Sequence, residues 1–178
     1  ETEMADESAQ RWRVLVVDDE PDVHQVTEIA LRHTEWRGKK FDLTSAHSAK
    51  EARELLGHSE QASFNVAIVD VVMETSDAGL ELCDWIRARY PRSLRIVLRT
   101  GQPGVAPEQK VLQDYDIDHY LDKTETTSKK LFTVIRACLR TSLDLATTRT
   151  LSTHLRELTG TLLSAGKFPD LLASMATS

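Results

Sequence analysis

Residues 14–23 read VLVVDDEPDV, and the reading of the fold starts from them. Val14 to Val17 is a short apolar run rich in β-branched residues. It stops abruptly at Asp18-Asp19-Glu20-Pro21, as a buried strand does when it feeds a helix. Pro21 suits a first helical position, where its missing N–H costs nothing, and the acids suit the positive end of the helix dipole. The helix that follows carries Val23, Val26, Ile29, Ala30 and His33 at helical spacing, which predicts its buried face. A polar stretch, Thr34 to Lys40, separates it from a second strand over Phe41 to Ala46.

The same alternation continues down the chain. Ser48 with Glu51 three residues later is a capping-box signature ahead of Ala52, Leu55 and Leu56. Val66-Ala67-Ile68-Val69 predicts a third buried strand, ended by Asp70. A polar loop from Glu74 to Gly79 leads into a helix bearing Leu80, Leu82, Cys83 and Ile86, with Pro91 closing it. Ile96 to Leu98 predicts a fourth strand, ended by Arg99-Thr100-Gly101, and Pro107 opens a short helix through Val111 and Leu112. A brief fifth strand falls at His119 to Leu121. Five strands alternating with helices imply an α/β, doubly wound, five-stranded parallel sheet covered on both faces. From Ser128 the chain is helical for an unusually long way. Leu131, Phe132, Ile135, Cys138 and Leu139 can cover the sheet, whereas Leu151, Leu155, Leu158 and Leu162 form a seam at spacings of four and three. Gly160, Gly166 and Pro169 limit that helix, which ends before Lys167, with Asp170 to Met175 starting another.

Composition narrows the function classes. A chain of 178 residues accommodates one domain and an appendage. Its formal charge of −6, with no basic stripe visible, argues against direct nucleic-acid binding. No apolar run is long enough to cross a membrane, and the acidic opening lacks a signal-peptide pattern, so the expected location is the cytoplasm. Cys83 and Cys138 lie on helices without metal-ligand spacing and are expected to be small core residues. The six histidines show no mutual ligand spacing and are expected at surface or capping positions.

In an open parallel sheet the chemistry gathers at the carboxyl ends of strands near the topological switch point. Asp18 and Asp19 follow the first strand, Asp70 the third, Thr100 the fourth and Lys123 the fifth. Three carboxylates offer hard oxygen ligands to a divalent cation such as Mg2+. Asp70 can then attack phosphorus as a carboxylate nucleophile while the metal and Lys123 neutralise charge on the phosphoryl oxygens and Thr100 donates a hydrogen bond.

Taken together, VLVVDDEPDV, VAIVDVVM (66–73), VLRTG (97–101) and HYLDKTE (119–125) resemble the response-regulator receiver (CheY-like) domain of two-component systems. The match covers about Trp12 to Arg140. The resemblance implies a flavodoxin-like five-stranded fold, Mg2+ dependence, phosphotransfer from a histidine kinase or phosphotransfer protein, and slow self-catalysed dephosphorylation. By position it makes Asp70 the phosphoacceptor, Asp19 a direct metal ligand, Asp18 a neighbour of the metal through water, and the Val72 backbone carbonyl a further ligand. Lys123 and Thr100 would bind the phosphoryl group, and Thr100 and Tyr120 would act as the switch. Several features depart from the usual pattern: Thr124 follows Lys123 where receivers commonly carry proline, Glu74 replaces another common proline, the loop Asp70 to Gly79 is one residue longer, and Gly101, Pro103 and Gly104 make the segment after Thr100 irregular.

The domain reading is a flexible segment at 1–10, a receiver at 11–140, and at 141–178 a helical extension or the start of a truncated sensor-like region. LRTGQPG, VVMET and DKTE resemble a subfamily whose receiver precedes such a region, sometimes with cyclic di-GMP output domains. The leucine seam is expected to make a homodimer through the C-terminal helix. Apart from self-catalysed phosphorylation and dephosphorylation of Asp70, no enzyme activity is expected. Two competing classes are a receiver-like adaptor that is never phosphorylated and an aspartate-nucleophile phosphohydrolase. The latter needs a second Asp two residues after the nucleophile, where Val72 stands.

Overall fold

A computed structural model describes residues 11–57, 64–90, 94–101, 111 and 114–164, the side chains of 162–164 excepted. The opening apolar run becomes strand β1, Arg11–Val17, and Pro21 sits at the start of helix α1, Pro21–Leu31. There follow β2 (Glu35–Trp36), β3 (Lys39–Ala46), α2 (Ala49–Gly57), β4 (Val66–Asp70) and α3 (Ala78–Arg89). Strands β5 (Arg95–Thr100) and β6 (His119–Asp122) and helix α4 (Ser128–Ser164) complete the described elements.

The sheet order is β2-β3-β1-β4-β5-β6. Strands β3, β1, β4, β5 and β6 are parallel, as expected of the five-stranded doubly wound sheet. From β1 the chain passes to β3 on one side and then to β4 on the other, so the switch point lies beside the carboxyl end of β1. The sheet also gains an edge strand within the polar stretch after α1: β2 pairs antiparallel with Lys39 and Lys40 of β3. Its two-residue turn uses positive φ at Arg37 (53°) and Gly38 (73°), the turn that matches strand twist. Trp12 and Trp36 hold it in place, their ring centroids 5.2 Å apart.

Strand pleating sorts the core into two layers. Leu15, Val17, Ala67, Val69, Ile96 and Leu98 share one buried cluster with Ala52 and Leu56 of α2 and Leu82, Cys83 and Ile86 of α3. The alternate residues Val14, Val16, Ile68 and Val97 are equally buried on the other face, as are Leu31 of α1 and Leu131, Ile135, Cys138 and Leu139 of α4. Phe132 of α4 meets Phe41 of β3 edge-on at 6.0 Å. Both cysteines are free and buried.

Helix α1 turns a different face inward from the one its apolar spacing predicts. Val26 and Ile29 are 54% and 67% exposed, whereas His24, Thr27 and Leu31 are buried. Hydrogen bonding decides the rotation. Thr27 Oγ1 donates to the Val23 carbonyl at 2.6 Å and accepts from Arg99 Nη1 at 3.1 Å, and His24 Nε2 donates to the Asp18 carbonyl at 2.7 Å. His24, expected at a surface or capping position, is therefore an interior histidine held through Nε2, its Nδ1 buried without a partner. The capping box at α2 forms nearly as expected: Ser48 Oγ accepts the Glu51 N–H at 3.1 Å, and Glu51 accepts the His47 N–H at 2.6 Å.

The helix expected from Pro107 falls largely outside the described residues, although Val111 is helical and buried. Pro91, the 1–10 segment and the helix expected at Asp170 to Met175 also lie outside them. Contacts divide the chain after Ser142. In the second unit the described residues are helical, and Leu151, Leu155 and Leu158 are 59%, 63% and 62% exposed.

At the amino end of β5, Asp118 joins two elements. Its carboxylate accepts Arg87 Nη2 at 2.9 Å and Arg95 Nη1 at 2.8 Å, with side-chain exposures of 12% and 6% for the two arginines. It also accepts the Ile96 N–H at 2.8 Å. Asp118→Ala removes the carboxylate that two desolvated guanidinium groups share and is expected to lower the unfolding free energy by about 3–5 kcal/mol in urea titrations. Asp116→Ala, which removes a 61% exposed carboxylate 3.6 Å from Arg87, is expected to cost about 0–1 kcal/mol.

Candidate functional site

Asp18 stands one residue past β1, its backbone held from two sides. Its N–H donates to the Ala46 carbonyl at 3.1 Å, and its own carbonyl receives His24. Its carboxylate accepts the Glu20 N–H at 3.0 Å. The side chain is thereby aimed across the carboxyl edge of the sheet toward Asp70, the last residue of β4. Asp18 and Asp70 are 2% and 4% exposed; Asp19 is exposed. Asp18, Asp19 and Asp70 each offer a carboxylate oxygen, all within 4.8 Å of one another.

Lys123, one residue past β6, closes the cluster. Its Nζ lies 2.8 Å from Asp18 Oδ2, 2.8 Å from Asp70 Oδ2 and 2.7 Å from Glu20 Oε1. Its N–H donates to the Thr100 carbonyl at 2.7 Å, extending the β5–β6 ladder beyond the Thr100–Asp122 pair. The loop after it needs no proline: Asp122 Oδ1 accepts both the Thr124 N–H at 2.7 Å and the Thr124 hydroxyl at 2.6 Å. No cis peptide bond occurs among the described residues.

The other departure is equally physical. Glu74 Oε1 accepts the Ala49 N–H at 2.8 Å, so the residue in place of a proline caps α2 and ties the loop after Asp70 to it. Farther along that loop, Gly79 comes so close to the acceptor backbone that a Cβ would lie 1.8 Å from the Asp70 carbonyl oxygen. Asp19, Glu20, Asp70, Val72, Thr100 and Lys123 line one cleft of about 360 Å³. Thr100 is fully buried, and Tyr120, half-buried, packs against the core cluster near it.

Electrostatics set the character of the cleft. Burial pushes the Asp70 carboxyl above its ordinary value, and the Asp18 charge adds to this, against the hydrogen bond from Lys123. Burial also works against the Lys123 charge, but its bonds to Asp18, Asp70 and Glu20 win and raise it. Glu20 is lowered by the hydrogen bond and charge of Lys123. Asp70 Oδ1 is buried with no hydrogen-bond partner. An orphaned carboxylate oxygen among three clustered aspartates is a donor set suited to a hard divalent cation.

Two residues of the site carry no local sign of their role. Glu20 has the position of a helix-start acid, yet it holds Lys123. Arg99 has the position of a strand end, yet it is 5% exposed and feels the charges of Asp18, Asp70 and Glu20. Burial lowers its guanidinium value. Strand alternation is enough to show that Arg99 points away from Thr100's face; nothing local shows that Thr27 receives it.

Comparison with known proteins bears on the family and the fold. Residues 14–136 match the family model for the response regulator receiver domain. A 3'3'-cGAMP-specific phosphodiesterase 2 of Vibrio cholerae is 44% identical over 139 residues, which is 78% of this chain but 26% of that protein's length. The chain thus spans about a quarter of that relative. Among solved structures, a response regulator receiver domain protein from Clostridium thermocellum superposes with TM-score 0.63 at 20% identity, covering 75% of this chain and 98% of the other. A response regulator protein from Thermotoga maritima in complex with Mg(2+)-BeF gives 0.58 at 22% identity, covering 71% and 98%. These two likenesses concern the fold.

Two substitutions read out the site's physics. Gly79→Ala drives a methyl group into the Asp70 backbone and is expected to lose about 3 kcal/mol of stability in urea unfolding, whereas Gly160→Ala, with open space around it, is neutral or stabilising by about 1 kcal/mol. In chelator at neutral pH, Asp70→Asn is expected to melt higher than the parent, because a buried, repelled negative charge is removed. The sign follows from the raised carboxyl: the parent's penalty is absent below the ordinary Asp value of 3.8 and grows as pH rises through the folded value. The difference in Tm should therefore narrow as the solution is acidified.

Proposed function

We propose, from the premise that this chain belongs to the response regulator receiver domain family, that it is a phosphorylation switch whose acceptor is Asp70. The observation that carries this is Asp70 itself: a 4% exposed carboxylate at a strand end, one oxygen bound by Lys123 at 2.8 Å and the other buried and unpartnered. The donor is a phosphohistidine on a kinase or phosphotransfer protein. An Asp70 oxygen forms the new P–O bond as the P–N bond breaks, and the departing imidazole nitrogen takes a proton. Asp18, Asp19, Asp70 and the Val72 carbonyl would hold Mg2+, which supplies positive charge to the phosphoryl oxygens. Lys123 neutralises a further oxygen, and the Thr100 hydroxyl donates to another. The reading is non-enzymatic apart from self-catalysed gain and loss of phosphate, and its setting is the cytoplasm. The name of the 44%-identical relative supports a cyclic-dinucleotide phosphodiesterase as the kind of output served.

Output begins at Thr100 and Tyr120. Thr100 drawn toward a phosphoryl group vacates space beside Tyr120, whose ring turns inward and alters the neighbouring surface. Leu151, Leu155 and Leu158 provide a seam for a second copy of the chain in a coiled coil. Three largely exposed leucines at that spacing support a homodimer.

Incubated with acetyl phosphate and Mg2+, the protein is expected to gain the mass of one phosphoryl group, labile to acid and base. Asp70→Asn or added chelator abolishes the gain. If neither protein is modified while a control receiver is, the non-phosphorylated adaptor is the better reading. Sedimentation should show Leu155→Glu shifted to monomer, since each buried leucine at such an interface contributes about 1.5–3 kcal/mol. Tyr120→Ala should accept phosphate normally but lose any phosphorylation-dependent change in self-association; an unchanged response would exclude Tyr120 as the relay.

A further inference from the structure

The chain is acidic and its sequence shows no basic stripe, yet the fold gathers one. Arg37 at the β2–β3 turn and Arg136 and Arg140, one helical turn apart on α4, line a shallow cleft of about 440 Å³ with Trp36, Thr133 and Ala137. No carboxylate lines it. None of the three arginines forms an ion pair among the described residues. Positive side chains that share one cleft without an acid repel one another, and an anion relieves such an arrangement.

Both walls of this cleft are set by packing against the core. Leu131, Ile135, Cys138 and Leu139 are buried, which fixes the rotation of α4 and leaves residues 133, 136, 137 and 140 on its outward side. Opposite, the Trp12 indole N–H donates to the Trp36 carbonyl at 2.9 Å, pinning the hairpin. At its turn, Arg37 takes φ 53°, a left-handed conformation that Asn, Asp or Gly would adopt more easily. Its guanidinium lies over the Trp36 ring, 4.9 Å from the centroid. An arginine with a left-handed backbone is thus placed over an aromatic ring, in a cleft lined by two further arginines.

We propose that this cleft binds a small phosphate-bearing aromatic anion, in its simplest form a nucleoside diphosphate. Guanidinium forks grip phosphate oxygens in pairs, the task for which arginine is better shaped than lysine. The Arg37 guanidinium over the Trp36 ring presents a cationic, aromatic-backed surface to a base. A concave volume within the range of small-ligand sites, about 300–1,000 Å³, favours a compact ligand over an extended acidic peptide. The cleft shares no residue with the Asp70 site, so the proposal stands apart from the switch reading.

Calorimetric and tryptophan-fluorescence titrations of the whole chain with ADP, pyrophosphate and adenosine, in chelator so that the acidic cleft contributes no metal, test it. ADP is expected to bind with a Kd on the order of 10–100 μM at low salt, with pyrophosphate and adenosine each roughly tenfold weaker or more. Arg136→Ala/Arg140→Ala should lose at least about tenfold in ADP affinity, and Arg136→Lys/Arg140→Lys most of that. Arg37→Gly separates binding from folding: it relieves the positive φ and should raise Tm while weakening ADP several-fold. Acetyl phosphate should still phosphorylate all of these variants at the parent's rate. The proposal is overturned by an absence of saturable binding below about 5 mM, by equal affinity in parent and double-alanine variant, or by an oligoglutamate peptide that outcompetes ADP for the same arginines.

Discussion

The ammonium group of Lys123, shared between Asp18 and Asp70 at 2.8 Å from each, is the interaction around which the rest is arranged. Two carboxylates buried to within a few per cent of completely are not stable neighbours in a medium of low dielectric constant; their repulsion has to be offset by a cation that is itself desolvated. That cation comes from the far end of the domain. Its position depends on the parallel register that sets Thr100 opposite Asp122, and on the Thr100 carbonyl that receives the Lys123 N–H. Helix α1 fixes Asp18 from below through His24, and Gly79 allows α3 to approach the Asp70 carbonyl. Strand ends, helix starts and close packing all serve one electrostatic requirement.

A site of this composition is poised rather than relaxed. Lys123 already has three acidic partners, Asp70 is held above its ordinary carboxyl value by burial, and one of its oxygens is orphaned. Any event that rearranges charge at Asp70 must redistribute those bonds. The adjacent elements are built to feel it. Thr100 and Arg99 occupy successive positions of β5 and point to opposite faces, Thr100 toward the core cluster against which Tyr120 packs and Arg99 toward Thr27 of α1. Displacement of that strand end therefore reaches both layers of helices. The Glu74 bond to the start of α2 gives the acceptor loop a third mechanical link.

Legibility from sequence followed the range of the interactions. The four long parallel strands and the acidic run before α1 are readable because a continuous apolar run that stops at an acid fits a buried strand meeting a sheet edge and little else. The buried face of α1 is not, because Val26 and Ile29 carry the apolar signal while His24 and Thr27 carry the hydrogen bonds, and the latter depend on Asp18 and Arg99. The β2 hairpin is hidden for a related reason. Two residues and a turn containing arginine are a weak local signal, and Trp12, which holds the hairpin, lies 24 residues earlier.

Asp18, Asp19, Asp70, Thr100 and Lys123 are legible as a set because strand ends in a parallel sheet must converge at one edge, whatever the loops between them do. The alternation of strands and helices therefore determined the fold class and the gathering of these five residues, and the motifs that contain them carried the family resemblance. Only the tertiary structure decided that Glu20 is a partner of Lys123, that Arg99 is a buried cation behind the acids, and that Glu74 caps a distant helix. It also assembled Arg37, Arg136 and Arg140 into a basic cleft on an acidic chain. Contacts between residues about a hundred positions apart leave no periodic trace in the sequence; they are set by the direction in which each side chain leaves its strand or helix once the core has packed.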